Sequence, residues 1–124
     1  MLATASRLER PILIVDDDPG ILLLLSDVLH EEGYTVVTAC DGVTALSVAQ
    51  WAQPGVLLLD IRLPGVNGVD LAQQLKERGV DAKVVVMTSP HACRVAEEIG
   101  ADDYLEKPFG LATLLRSVEA AAAA

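Results

Sequence analysis

Short apolar runs that break off abruptly at polar clusters constrain this chain more than any other feature. Pro11-Ile12-Leu13-Ile14-Val15 stops at Asp16-Asp17-Asp18, Val56-Leu57-Leu58-Leu59 stops at Asp60, and Lys83-Val84-Val85-Val86-Met87 stops at Thr88. An amphipathic strand alternates polar with apolar residues. A continuous run of this length instead suits a parallel strand covered on both faces. Tyr34 to Ala39 reads as another strand, and Asp103 to Glu106 as a weaker fifth.

The segments between them read as helices. The first spans Pro19 to about Glu32, with Asp18 as cap, Pro19 in the first turn and Gly33 as stop. Others are expected over Gly42 to Gln53, Asn67 to Arg78, Pro90 to Ile99, and from Gly110 into the alanine tail. Five strand–helix units imply an α/β fold: a flavodoxin-like doubly wound (βα)5 sandwich around a five-stranded parallel sheet of order 2-1-3-4-5. With 124 residues the chain suits one domain, expected over 11–118, behind an N-terminal extension (1–10) and before an Ala-rich tail (119–124). The tail fits either a helix end or the start of a linker. Aromatic residues are only 3% of the chain against 52% hydrophobic, so the core must be aliphatic.

A sheet of this order collects the residues that follow its strands on one rim. Asp16 and Asp17, Asp60, Thr88 and Lys107 are expected to meet there. Clustered carboxylates repel one another unless a cation offsets them, and an all-oxygen donor set favours Mg²⁺. The formal charge of −9 repels phosphate backbones and anionic membranes, so direct nucleic-acid binding by this domain is not expected. No apolar run is long enough for a membrane helix and no signal core precedes the first charges, which suggests a cytoplasmic domain. Cys40 and Cys93 are too few for a disulfide framework or zinc site, and both, with Trp51, read as packing residues.

Four motifs in order now carry a resemblance: Val15-Asp16-Asp17-Asp18-Pro19, Leu57 to Gly68, Val86-Met87-Thr88-Ser89, and Gly100 to Phe109. Together they resemble the receiver domain of two-component response regulators over about residues 11 to 118. The resemblance implies a phosphorylation-controlled switch in signal transduction, not a turnover enzyme. Asp60 would accept the phosphoryl group from a histidine kinase or histidine phosphotransfer protein, forming an aspartyl phosphate. Asp17 would ligate Mg²⁺ directly, Asp16 would reach it, often through water, and the backbone carbonyl of Arg62 would complete the protein ligands. Lys107 would pair with Asp60 and then with a phosphoryl oxygen. Thr88 would hydrogen-bond the phosphoryl group. Tyr104 fits either a switch aromatic or a plain strand residue. A cis Lys107–Pro108 bond is expected.

Ile21-Leu22-Leu23-Leu24-Leu25 is apolar all round. Leu22, Leu25 and Leu29 can share an inner face, which leaves Ile21 and Leu24 outside. With Pro108 they mark the flank where the resemblance places phosphodonor docking, although exposed leucines without a role fit equally. One departure stands out. Between Thr88 and Gly100 the chain has eleven residues, Ser89 to Ile99, where receivers usually carry about three more, or ~4.5 Å of helical rise. Ser89 as cap and Pro90 in the first turn suggest a shortened loop, and a shortened helix is the competing account.

Other functions fit less well. A haloacid-dehalogenase-like phosphatase needs a second Asp two residues after its nucleophile, where this chain has Arg62. A Rossmann-type nucleotide enzyme needs a Gly-rich loop after the first strand, and none is present. A pseudo-receiver working without phosphorylation remains as a protein-interaction module. The output would be a downstream protein bound by this domain or an effector domain outside this sequence.

Overall fold

The computed structural model describes residues 10–63, 67–89 and 100–123. Its elements run β1 (Ile12–Val15), α1 (Pro19–Glu31), β2 (Val36–Ala39), α2 (Gly42–Ala52), β3 (Val56–Asp60), α3 (Gly68–Glu77), β4 (Lys83–Thr88), β5 (Asp103–Glu106) and α4 (Leu111–Ala123). The strands form one sheet of order β2-β1-β3-β4-β5, parallel at every junction. The expected fold class and strand order are both present. The helix expected over Pro90 to Ile99, Cys93 within it and the question of the shortened segment lie outside the described residues.

The unbroken apolar runs are explained by the layers. Alternate residues of β1 and β3 point to opposite faces. Ile12, Ile14, Val56 and Leu58 pack with Leu25 and Leu29 of α1 and with Leu114, Val118 and Ala121 of α4. Leu13, Val15, Leu57 and Leu59 pack with Ala45 and Ala49 of α2 and with Leu71, Ala72 and Leu75 of α3. Polar residues at either parity would be buried without partners, so neither face of these strands tolerates them. Ala121 is buried, so the alanine tail continues α4 as packed helix through Ala123.

Side-chain caps start three of the helices. Asp18 accepts from the N–H groups of Gly20 (2.8 Å) and Ile21 (3.4 Å), Asp41 from Thr44 (2.7 Å) and Asn67 from Asp70 (2.9 Å). The backbone bond to Thr44 chiefly holds the Asp41 carboxyl below its ordinary pKa. Helix α2 ends at Gln53, which takes a left-handed conformation at φ 50°.

Three expectations are corrected. Ile21 does not face outward: it is half-buried and packs against the core with Leu22 and Val28. It lies one turn before Leu25 and two before Val28, on the buried stripe. Trp51 is 70% exposed, because the buried stripe of α2 is Gly42, Ala45 and Ala49, and Trp51 lies off it. Cys40 is exposed, one residue beyond the buried Ala39 at the end of β2. The second strand is also shorter than expected, with Tyr34 buried in the core ahead of it.

Candidate functional site at the carboxyl ends of the strands

β1, β3 and β4 each deliver their last residue or the next one to the same rim. Asp16 follows β1, Asp60 ends β3 and Thr88 ends β4, and all three are buried. Lys107 follows β5, and its backbone N–H donates to the Thr88 carbonyl at 2.7 Å, which ties it to the end of β4. The Lys107–Pro108 peptide bond is cis.

Lys107 Nζ lies 2.9 Å from Asp16 Oδ2 and 3.3 Å from Asp60 Oδ2. The resemblance implies that Lys107 pairs with Asp60; the structure contains that contact and adds a shorter one to Asp16. The other oxygens of both carboxylates are held by main chain. Asp16 Oδ1 accepts from Asp18 N–H (2.9 Å) and Asp60 Oδ1 from Arg62 N–H (3.1 Å). Asp17 is exposed at the mouth. One carboxylate oxygen from each of Asp16, Asp17 and Asp60 can be chosen so that all lie within 4.8 Å of one another.

Charge and burial act together here. Burial raises the Asp60 pKa above its ordinary value, against the Arg62 N–H bond and the Lys107 charge, while the Asp16 charge adds to the rise. Burial by itself would lower the Lys107 pKa. The hydrogen bond to Asp16 and the charges of Asp60 and Asp16 together outweigh it, so the ammonium is held above its usual range. Among the described residues, three carboxylates stand against one ammonium in the cluster, an excess of two negative charges. The donors are all oxygen, and Asp17, Asp60 and Lys107 line a cleft of about 330 Å³ with Ile61, Arg62, Thr88 and Ser89. That donor set, excess charge and room fit a hard divalent cation.

Thr88 is buried and its hydroxyl donates to the Ser89 carbonyl at 3.1 Å. The side chain of Arg62 is exposed at the rim. Tyr104 lies apart, 47% exposed, lining a separate open cleft with Pro108, Phe109 and Thr113. Leu24 is exposed on α1, as is its neighbour Leu23, and Pro108 is exposed beyond β5. Sequence reasoning did not give Ile61 or Ser89 a place in the cleft. Their only signal was adjacency to Asp60 and Thr88.

Comparison with known proteins follows the same lines. The sequence model of the family described as response regulator receiver domain matches residues 12–119. The response regulator MprA of Mycobacterium ulcerans is 41% identical over 112 residues, covering 88% of this chain and 48% of that protein. The receiver domain of NtrX from Brucella abortus superposes with a TM-score of 0.84 at 32% identity, covering 90% of this chain and 98% of that one. TrrA of Thermotoga maritima, solved in complex with Mg²⁺–BeF, superposes at 0.81 with 33% identity and the same coverage. This chain spans about half the length of MprA. Among the described residues, no helix is long and apolar enough to cross a membrane. The chain belongs to the response regulator receiver domain family.

Proposed function

We propose that this domain is a phosphorylation-controlled signalling switch that accepts a phosphoryl group on Asp60 in a Mg²⁺-dependent reaction. The observation that carries the proposal is Lys107 bridging Asp16 and Asp60, with Asp17 close enough to share a cation with both. Support also comes from TrrA, whose structure holds Mg²⁺ and BeF.

Asp16, Asp17 and Asp60 would hold the cation, with the backbone carbonyl of Arg62. Bound there, Mg²⁺ supplies positive charge that offsets carboxylate repulsion and phosphoryl-oxygen charge. An oxygen of the ionised Asp60 attacks phosphorus of a phosphohistidine in a histidine kinase or phosphotransfer protein. An O–P bond forms, the P–N bond breaks, and its electron pair leaves with the imidazole nitrogen, which takes a proton. Arg62 N–H fixes Asp60 Oδ1 and so orients the carboxylate. Lys107 remains an ammonium at neutral pH and can move from Asp60 Oδ2 to a phosphoryl oxygen. Thr88 would exchange the Ser89 carbonyl for that phosphoryl group, and Tyr104 would report the change by turning from solvent. Leu24 and Pro108 offer exposed apolar contacts for the phosphodonor. Ile21 would contribute only through its exposed edge. The output is a surface change read by a downstream protein or an attached effector domain. Turnover of a substrate is not part of this role, and the site of action is the cytoplasm.

Acetyl phosphate with Mg²⁺ should produce one slower band on phosphate-affinity electrophoresis, lost with chelator and absent in Asp60→Asn. Equal labelling of both proteins would reject Asp60, and no labelling of the wild type would favour a pseudo-receiver.

A further inference from the structure

Gly68 opens α3, eight residues after Asp60. Its N–H donates to the Ile61 carbonyl at 3.0 Å, closing the loop that leaves the site. No side chain fits there. A Cβ at 68 would stand 2.8 Å from Ile61 Cα, 3.1 Å from its carbonyl oxygen and 3.3 Å from its carbonyl carbon. These are backbone atoms and cannot rotate aside. The need is for space, unlike that at Gly79 and Gly100, which have positive φ and nothing within 4 Å of a built Cβ.

The Ile61 carbonyl and the Arg62 N–H are opposite ends of one planar peptide group. One end is held by Gly68, and the other donates to Asp60 Oδ1 at 3.1 Å. Ile61 N–H is in turn held by the Met87 carbonyl of β4 at 3.3 Å. A Cβ at 68 must push Ile61 away from α3, and tilting that peptide turns the donor that orients Asp60.

We infer that Gly68 is a positioning residue for Asp60, acting through the 61–62 peptide. The inference rests on Asp60 being the phosphoacceptor only for its effect on rate, because the coupling itself can be read without phosphorylation. Ala is the better helix former, so propensity alone makes Gly68→Ala neutral or stabilising.

The test combines labelling kinetics with amide exchange. In Gly68→Ala, the maximal labelling rate with acetyl phosphate and Mg²⁺ should fall on the order of 10-fold or more. The half-saturating acetyl phosphate concentration should stay near that of the wild type. Partial unfolding would give the same pattern in raw rates, so the rate constant is compared per folded molecule, with the folded fraction taken from far-UV circular dichroism of each protein. Gly110→Ala, where a Cβ meets nothing within 4 Å, should label like wild type. In the otherwise unmodified protein, Asp60→Ala removes the acceptor of Arg62 N–H, and exchange at the Gly68 amide should quicken several-fold by reciprocity. Wild-type labelling by Gly68→Ala, or Gly68 exchange indifferent to Asp60→Ala, would overturn the inference. Should Gly68→Ala fail to fold, the exchange measurement decides. Absence of any label on the wild type would instead strike the phosphoacceptor proposal and leave the exchange result to judge Gly68.

Discussion

The amino end of the sheet and its carboxyl end treat charge in opposite ways. Near the first strand, Arg10 directs its guanidinium at three main-chain carbonyls, those of Gln53 (2.9 Å), Pro54 (2.7 Å) and Asp81 (2.9 Å). It ties the chain before β1 to the loops before β3 and β4. Each of these three contacts joins a donor to an acceptor. At the carboxyl end a single ammonium serves two buried carboxylates while a third waits at the mouth. The first arrangement stabilises the fold. The second gathers like charges and keeps oxygen donors available, which is what the proposed binding of a cation and a phosphoryl group would need.

Removing Lys107 should have the largest effect of the substitutions that probe this contrast. Lys107→Ala leaves buried Asp16 and Asp60 facing each other, and we expect a loss of roughly 1–3 kcal/mol in denaturant unfolding. Labelling by acetyl phosphate should fall as well, because the positive charge beside Asp60 is gone. An unchanged midpoint and unchanged labelling would show that the ammonium neither stabilises nor assists.

Asp17→Ala should weaken Mg²⁺ binding by about tenfold or more in a calorimetric titration, since it deletes an exposed carboxylate from the donor set. Unlike Lys107→Ala, it should leave the metal-free fold as stable as before or more so. Equal affinity in the two proteins would remove Asp17 from the cation site.

Arg10→Ala tests the opposite end. Losing three charge-assisted hydrogen bonds should cost roughly 1–2 kcal/mol in the same unfolding experiment, with labelling and Mg²⁺ affinity unchanged. A change in labelling would mean that the two ends are not separable.

The smallest expected effect concerns pH. Because burial raises the folded-state pKa of Asp60, the unfolded chain gives up this proton first as pH climbs past the ordinary Asp value. Stability from this group is therefore full below that value and falls as pH rises through the folded-state pKa. Asp60→Asn should remove the fall, so the variant's melting temperature should gain on wild type between acid and neutral pH. Parallel melting curves across that range would contradict the assigned direction.

The two ends also differ in how far they could be read from sequence. Asp16, Asp60, Thr88 and Lys107 were visible because each ends or follows a strand, and parallel order alone brings such residues together. β1, β3 and β4 were visible because both their faces are covered, unlike the edge strands β2 and β5. Ile21 was misplaced because a helix apolar at five consecutive positions carries no phase to read. Trp51 and Cys40 were misjudged from residue type, although burial there is decided by the small-residue stripe of α2 and by the parity of β2. The Arg10 clamp leaves no sequence signal, and Gly68 enters only as the last residue of a motif, since both contacts depend on which backbone atoms the fold brings near.

Phosphorylation of Asp60 within the carboxylate cluster is the reading proposed for this site. Its most direct test is to treat the protein with acetyl phosphate and Mg²⁺, reduce the acyl phosphate with borohydride, and locate the altered residue by peptide mass spectrometry. A single modified residue is expected, Asp60, converted to homoserine only when Mg²⁺ was present. Modification at Asp16, Asp17 or another carboxylate with Asp60 untouched would contradict it.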